Sequence, residues 1–178
     1  MRMVKTKIGG IMFKILLGFL GLFFVSCASH PPLKTVQKID PERYMGKWYE
    51  IARYEHSFEK GCSDVSATYS LKENNKIKVV NSCTKQDNSQ SKAIGIAHST
   101  DDSFSKLKVS FFRPFYGDYQ ILMIGDEYEY AVIGEPSREY FWILSRTKTL
   151  DKDILQNILK EMPKLGYDKE KLIWTKQS

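Results

Sequence analysis

The segment RYMGKWYEIARYEHSF, residues 43–58, sets one tryptophan, three tyrosines and a phenylalanine around a single glycine, with charged residues threaded between them. As a strand it is either an ordinary aromatic core element or the closed end of something hollow. The next ninety residues decide between the two. GKWYEIARY (46–54), SDVSATYSL (63–71), KIKVVNSC (76–83), SKAIGIAHS (91–99), SKLKVSFF (105–112), DYQILMI (118–124), YEYAVIG (128–134) and EYFWILSR (139–146) are runs rich in aromatic and β-branched residues. Between them lie KENN, TKQDNSQ, TDDS, RPFYG, GDE and EPSR, which are turn chemistry. Many short strands with no helix between them predict a sandwich or a barrel. Short links make sequence neighbours pair antiparallel, and a meander hides its two edges most simply by closing on itself. The expectation is therefore all-β: an eight-stranded antiparallel up-and-down barrel.

Beyond the strands the period changes. TLDKDILQNILKEMPKLGY (149–167) places Ile154, Leu155, Ile158, Leu159 and Met162 on one helical face. Asp151 and Asp153 suit the start of that helix, and Pro163 with Gly166 ends it. A helix with one apolar stripe packs on something, here the outside of the barrel. KLIWTK (171–176) is a last short strand that can run beside the first.

The N-terminus reads as an address. Arg2, Lys5, Lys7 and Lys14 precede the 11-residue apolar run Ile15–Val25, which ends in Phe24-Val25-Ser26-Cys27. That is a secretory signal, too short to span a membrane. Residues 1–26 are expected to be removed, with residues 27–42 as a short tether stiffened by Pro31-Pro32 and residues 43–178 as the folded domain. The formal charge of +6 dissolves with the signal, because 23 basic and 21 acidic residues remain. Nothing in that balance suggests nucleic-acid binding.

Two cysteines come after Cys27. In an oxidising compartment Cys62 and Cys83 are most simply a disulfide; free thiols are the alternative. Their strand parities disagree unless a bulge near Gly61 intervenes. His30, His56 and His98 stand singly, so no metal site is expected. No nucleophile elbow, phosphate loop or dinucleotide fingerprint is present, so neither catalytic residues nor a cofactor are expected.

Gly46-Lys47-Trp48 near the start of the first strand and Ser145-Arg146 at the end of the eighth resemble the first and third signature regions of the lipocalins. MGKWYEIARYEHSF, LKVSFFRPFYGDY and YFWILSRT are similar to the bacterial outer-membrane lipoproteins of that family. The second signature survives only as Asp126. Phe24-Val25-Ser26-Cys27 resembles a lipobox, in which Cys27 becomes the lipid-modified first residue. With Ala28 rather than aspartate next, the resemblance implies an outer-membrane anchor facing the periplasm. It also implies a hydrophobic or amphiphilic ligand, such as a fatty acid or lysophospholipid, stored or transported in the barrel for envelope maintenance. Other readings are a structural lipoprotein whose barrel is filled and, through a cavity cysteine as in a few lipocalins, a lipid-modifying enzyme. Monomer and dimer are equally compatible with the sequence.

The physics of the signature stands apart from the family. Gly46 permits a tight bend, Trp48 is wide enough to plug one end, and Arg146 can lie on the indole face. Counting back by twos from Arg146, Leu144, Trp142 and Tyr140 face inward. Alternation adds Leu107, Val109 and Phe111 on the fifth strand, Val65, Ala67 and Tyr69 on the second, and Glu50 beside Trp48. The small residues of Gly95-Ile96-Ala97 leave space within the wall. Of these, Tyr69, Ala67, Val109, Phe111, Tyr140, Trp142, Leu144 and Glu50 are the candidate cavity residues. Arg113 and Tyr116, in the aromatic run 111–119, are the candidate entrance, and Arg113 is a candidate for a phosphate headgroup.

Overall fold

The eight runs form eight strands in a computed structural model whose described residues are 30–178. They are β1 (Gly46–Tyr54), β2 (Ser63–Leu71), β3 (Lys76–Thr84), β4 (Gln90–Ser99), β5 (Lys106–Phe112), β6 (Phe115–Ile124), β7 (Tyr130–Gly134) and β8 (Phe141–Ser145). Each pairs antiparallel with its neighbour, and β1 pairs with both β2 and β8, which closes the barrel. A short helix α1 (Pro41–Tyr44) precedes β1; α2 (Lys152–Glu161) and β9 (Leu172–Trp174) come after β8. β9 runs antiparallel to the upper part of β1, where β2 has diverged. The signal segment and Cys27 lie outside the described residues.

Two apolar faces account for the packing. Inward residues Trp48, Tyr69, Ile77, Val79, Ala97, Leu107, Ile121, Ala131, Ile133 and Leu144 form one cluster, joined from below by Ile39 and Tyr44. Outward residues Ala52, Leu122, Val132, Phe141 and Ile143 form a second with Ile158 and Met162 of α2 and its following turn. Asp151 caps α2 through its carboxylate, which accepts from Asp153 N and Ile154 N. The sheet buries one face in the barrel and part of the other beneath the helix.

Strand register departs from simple alternation at two places that matter. The β1–β8 register slips between Glu50 and Ala52, so Arg53 rather than Ala52 comes to pair with inward Trp142. On β2 the slip lies between Ser63 and Ser66, with Asp64 at a positive φ of 50°. This is the bulge that the cysteine parities required, a few residues beyond Gly61. It lets Cys62 meet Cys83 in a disulfide with Cα atoms 5.6 Å apart.

The expected tether is shorter than 27–42. Leu33 is buried in the outer cluster and Ile39 is fully buried in the inner one. Val36 N donates to Ile121 O and Ile39 N to Ser103 O. Spacing of three between these apolar residues matches no strand pattern, which is why the sequence hides a strap that runs along the barrel wall. If the strap is structural, Ile39→Ala lowers unfolding free energy by about 2–5 kcal/mol in urea titration, against less than about 0.5 for a solvated tether.

Candidate functional site: the barrel lumen and its two ends

One end of the barrel is shut. Gly46 adopts a φ of 93°, and a Cβ there would sit 3.3 Å from Arg146 Nη1, so the chain bends under the arginine only because the residue is glycine. The Arg146 guanidinium lies 3.8 Å from the Trp48 ring centroid. Its nitrogens donate to Lys47 O at 3.1 Å, Arg43 O at 2.6 Å and Tyr128 O at 3.2 Å. Trp48 is fully buried, its indole N–H donating to Tyr44 O at 2.9 Å. Asp126, the remnant of the second signature, contributes its carbonyl to Arg43 at this same end.

The lower lumen is filled. Tyr44 and Tyr69 each share a hydrogen bond with the Tyr119 hydroxyl, at 2.6 and 3.0 Å. Tyr69 and Leu144, expected as cavity lining, belong to this packed core instead. Exposure then rises toward the other end on β4, β5, β6 and β8 and from Tyr69 to Ala67 on β2, whereas Val65 and the inward residues of β1 and β7 stay buried. On β2, Tyr69 is 4% exposed and Ala67 is half-buried; on β5, Leu107 is 1% exposed, Val109 half-buried and Phe111 45%. On β4, Ala97 is buried, Gly95 half-buried and Ala93 exposed. Inward positions high on β4, β5 and β6 are therefore accessible to solvent. The space beside Gly95 is not empty, though: a Cβ there would lie 2.9 Å from the Phe111 ring, which occupies it.

Tyr140 and Trp142 line the opposite upper wall, stacked at 5.9 Å. His56 reaches both rings from the β1–β2 loop, and Phe58 stacks on it at 3.8 Å. Phe112 and Phe115 stack across the β5–β6 hairpin, with Arg113 exposed at its tip. Tyr116 is a correction. By register it shares the outer face of Asp118 and stands edge-on to outward His98 at 5.4 Å, so it is not part of the entrance.

Beneath this mouth lies a buried charge cluster that sequence reasoning found only in part. Glu50 is 2% exposed, as its parity implied. Arg53, His56 and Glu59 join it, all buried, because the β1 slip turns Arg53 inward and the Ser57–Glu59 turn carries Glu59 down. Glu59 Oε2 lies 3.4 Å from Arg53 Nε and 3.2 Å from His56 Nε2. Glu50 accepts from Thr175 Oγ1 and lies 3.5 Å from Arg53 Nη1. Burial, then the neighbouring Glu59 carboxylate, pushes the Glu50 carboxyl up to about 8. Burial pushes Glu59 upward too. Two buried carboxyls thus face one guanidinium, and burial raises the proton affinity of both. Burial pulls His56 down to about 4, so its ring is neutral near pH 7.

These groups set opposite pH dependences. Glu50 is raised above the ordinary 4.5, so its contribution is complete below about 4.5 and is lost as pH rises through about 8. His56 is lowered, so its contribution is present above 6.5 and is lost as pH falls through about 4. Glu50→Gln should flatten the decline in unfolding free energy between pH 5 and 8 by at least about 1 kcal/mol, read from urea midpoints across pH. At the base, Arg146→Ala should cost about 2–4 kcal/mol, since three carbonyls and the indole lose their partner. Arg146→Lys should keep most of that loss, because an ammonium cannot reproduce the planar fork.

The arrangement has clear relatives. A family described as the lipocalin-like domain matches residues 39–177. The outer membrane lipoprotein Blc of Citrobacter freundii is 44% identical over 158 residues, 86% of this chain and 89% of that protein. Blc of Escherichia coli strain K12 is 40% identical over the same shares. Among solved structures, insecticyanin of the tobacco hornworm Manduca sexta superimposes with a TM-score of 0.69 at 24% identity, over 83% of this chain and 86% of that one, a likeness of fold. With its barrel sealed by Trp48 and Arg146 and its match running from the strap to the tail, this chain belongs to the lipocalin family.

Proposed function

We propose that the protein binds a hydrophobic or amphiphilic ligand in the upper lumen and stores or carries it, held at the outer membrane by acylated Cys27 and facing the periplasm. Lipocalins bind small hydrophobic ligands, and the Blc relatives are by name outer membrane lipoproteins. The observation that carries the reading is the exposure gradient on β4, β5, β6 and β8, whose inward residues are buried over a sealed base and become accessible toward the mouth. Ala67, Val109, Phe111, Tyr140 and Trp142 supply an apolar and aromatic wall. Arg53 Nε and both ring nitrogens of His56 are buried without a well-aligned hydrogen-bond partner among the described residues, which favours an amphiphile with a polar end over a plain hydrocarbon. The role is binding rather than catalysis. A fatty acid or lysophospholipid has the required chemistry, and envelope maintenance is the process we assign to it.

A filled-barrel scaffold is the second reading, favoured by the tyrosine-packed lower lumen and by Phe111 seated against Gly95. Lipid extraction from protein purified in mild detergent separates the two. A stoichiometric amphiphile is expected, and a chain that emerges empty and refuses ligand overturns the proposal. Ala67→Phe, which adds a ring to the inward face beside Trp48 and so shortens the lumen from below, should weaken binding of a fluorescent fatty acid at least about tenfold with the circular dichroism spectrum unchanged, as expected for about 1.4 kcal/mol of lost contact.

A further inference from the structure

The strap along the barrel wall has a direction. Traced back from α1 at the sealed base, it passes Ile39 against Ser103, Val36 against Ile121 on β6, and Leu33 in the outer cluster with Phe141 and Tyr167. It then reaches Pro31, whose carbonyl accepts from Arg138 Nη2 at 2.6 Å. Arg138 sits in the β7–β8 loop, and that loop belongs to the open end. The chain therefore enters the fold at the mouth, not at the base. Cys27 precedes Pro31 by four residues, a reach of at most about 14 Å in a fully extended chain. Strands of nine or ten residues, tilted as in a barrel, make the domain roughly 25 Å tall. An anchor at Cys27 holds the mouth, rather than the base, near the lipid.

The same end carries the exposed phenylalanines. Phe112 and Phe115 are 76% and 70% exposed, and Phe58 on the β1–β2 loop is 61% exposed. Phe111, half in the lumen, joins the hairpin pair to the cup. Exposed charges on the mouth loops balance, with Lys60, Lys85 and Arg113 against Glu55, Asp87 and Glu139. What the mouth offers is apolar surface with aromatic character, which suits the interfacial zone of a bilayer. We infer that the mouth of the barrel docks on the phospholipid surface, with Phe112 and Phe115 of the β5–β6 hairpin entering the headgroup region. The lumen then opens toward the leaflet, and an amphiphile passes between bilayer and barrel without crossing bulk water. This orientation rests on the Cys27 anchor and the lumenal ligand proposed above.

The test uses the full chain reconstituted in vesicles of phosphatidylethanolamine and phosphatidylglycerol, with the disulfide left intact. An environment-sensitive fluorophore is placed through Phe112→Cys at the mouth or Glu73→Cys at the base. At position 112 the emission should shift to the blue and be quenched at least about twofold by brominated lipid, unchanged in high salt. At position 73 neither should occur. Water-like emission at 112, a chain that does not float with the vesicles, or quenching at 73 overturns the inference. So does shielding at 112 that brominated lipid does not quench, since that means contact between copies. Phe112→Ser with Phe115→Ser, both at exposed positions, should slow transfer of a fluorescent fatty acid from vesicle to protein about tenfold while leaving its dissociation constant unchanged; an unchanged transfer rate counts against docking. Lipid extraction and the mass of the N-terminal peptide report the ligand and the acylated cysteine separately, so an empty cup, a missing anchor and an undocked mouth are told apart.

Discussion

The guanidinium of Arg146 against the face of Trp48 is the constraint on which the remaining geometry turns. It ties together three chain segments at the base: α1 through the Arg43 carbonyl, β1 through the Lys47 carbonyl and the β6–β7 connection through the Tyr128 carbonyl. A neutral side chain of the same size would fill the space but leave those carbonyls without donors beneath a buried indole. Desolvation lowers the arginine's affinity for its proton, yet nothing near it competes for its charge, so the cation stays and the ring receives it. Because the lower lumen is packed onto this plate by Tyr44, Tyr69 and Tyr119, the fold has a definite bottom. A barrel with one definite bottom has one mouth.

Much of this was legible in the sequence for a simple reason. Strand alternation and turn chemistry are local signals, and a meander with short links translates them directly into neighbours in space. The Gly46–Trp48 and Ser145–Arg146 pairs were legible because their residue types suit only a few jobs: a glycine where a Cβ would strike the arginine, an arginine where three carbonyls converge. The failures are equally physical. A bulge adds one residue and reverses parity, so the pairing of Arg53 with inward Trp142 is invisible to simple alternation. Tyr116 lies on the hairpin's outer face, and its neighbour His98 is 18 residues earlier, so no local pattern reveals the contact. The strap has neither a strand's period nor a helix's, and its burial depends on grooves formed only once the barrel has closed.

The buried charges beneath the mouth show the sheet accommodating polarity where a core would normally exclude it. Glu50, Arg53, His56 and Glu59 are all nearly inaccessible, with both carboxyls set against the one guanidinium. Ion pairs of this kind rarely stabilise a fold better than apolar residues of the same volume. Their position, just above the tyrosine floor and against Trp142, puts hydrogen-bonding capacity where a purely structural barrel has no use for it. That placement is what the proposed ligand-binding reading uses and a filled scaffold does not.

The two ends also bear on ligand size. With the lower lumen filled, the usable depth is about half the barrel's height, roughly 12 Å. On the proposed reading a long acyl chain cannot lie straight within it, so some part of such a ligand would stay at the rim. An apolar rim in water would leave that part exposed at about 25 cal/mol for each Å² uncovered. Against a leaflet the same rim is covered, and the aromatic hairpin, the mouthward strap and the shallow cup become parts of one arrangement. In the docked arrangement inferred above a shallow cup would suffice, because the bilayer would supply the remainder of the wall.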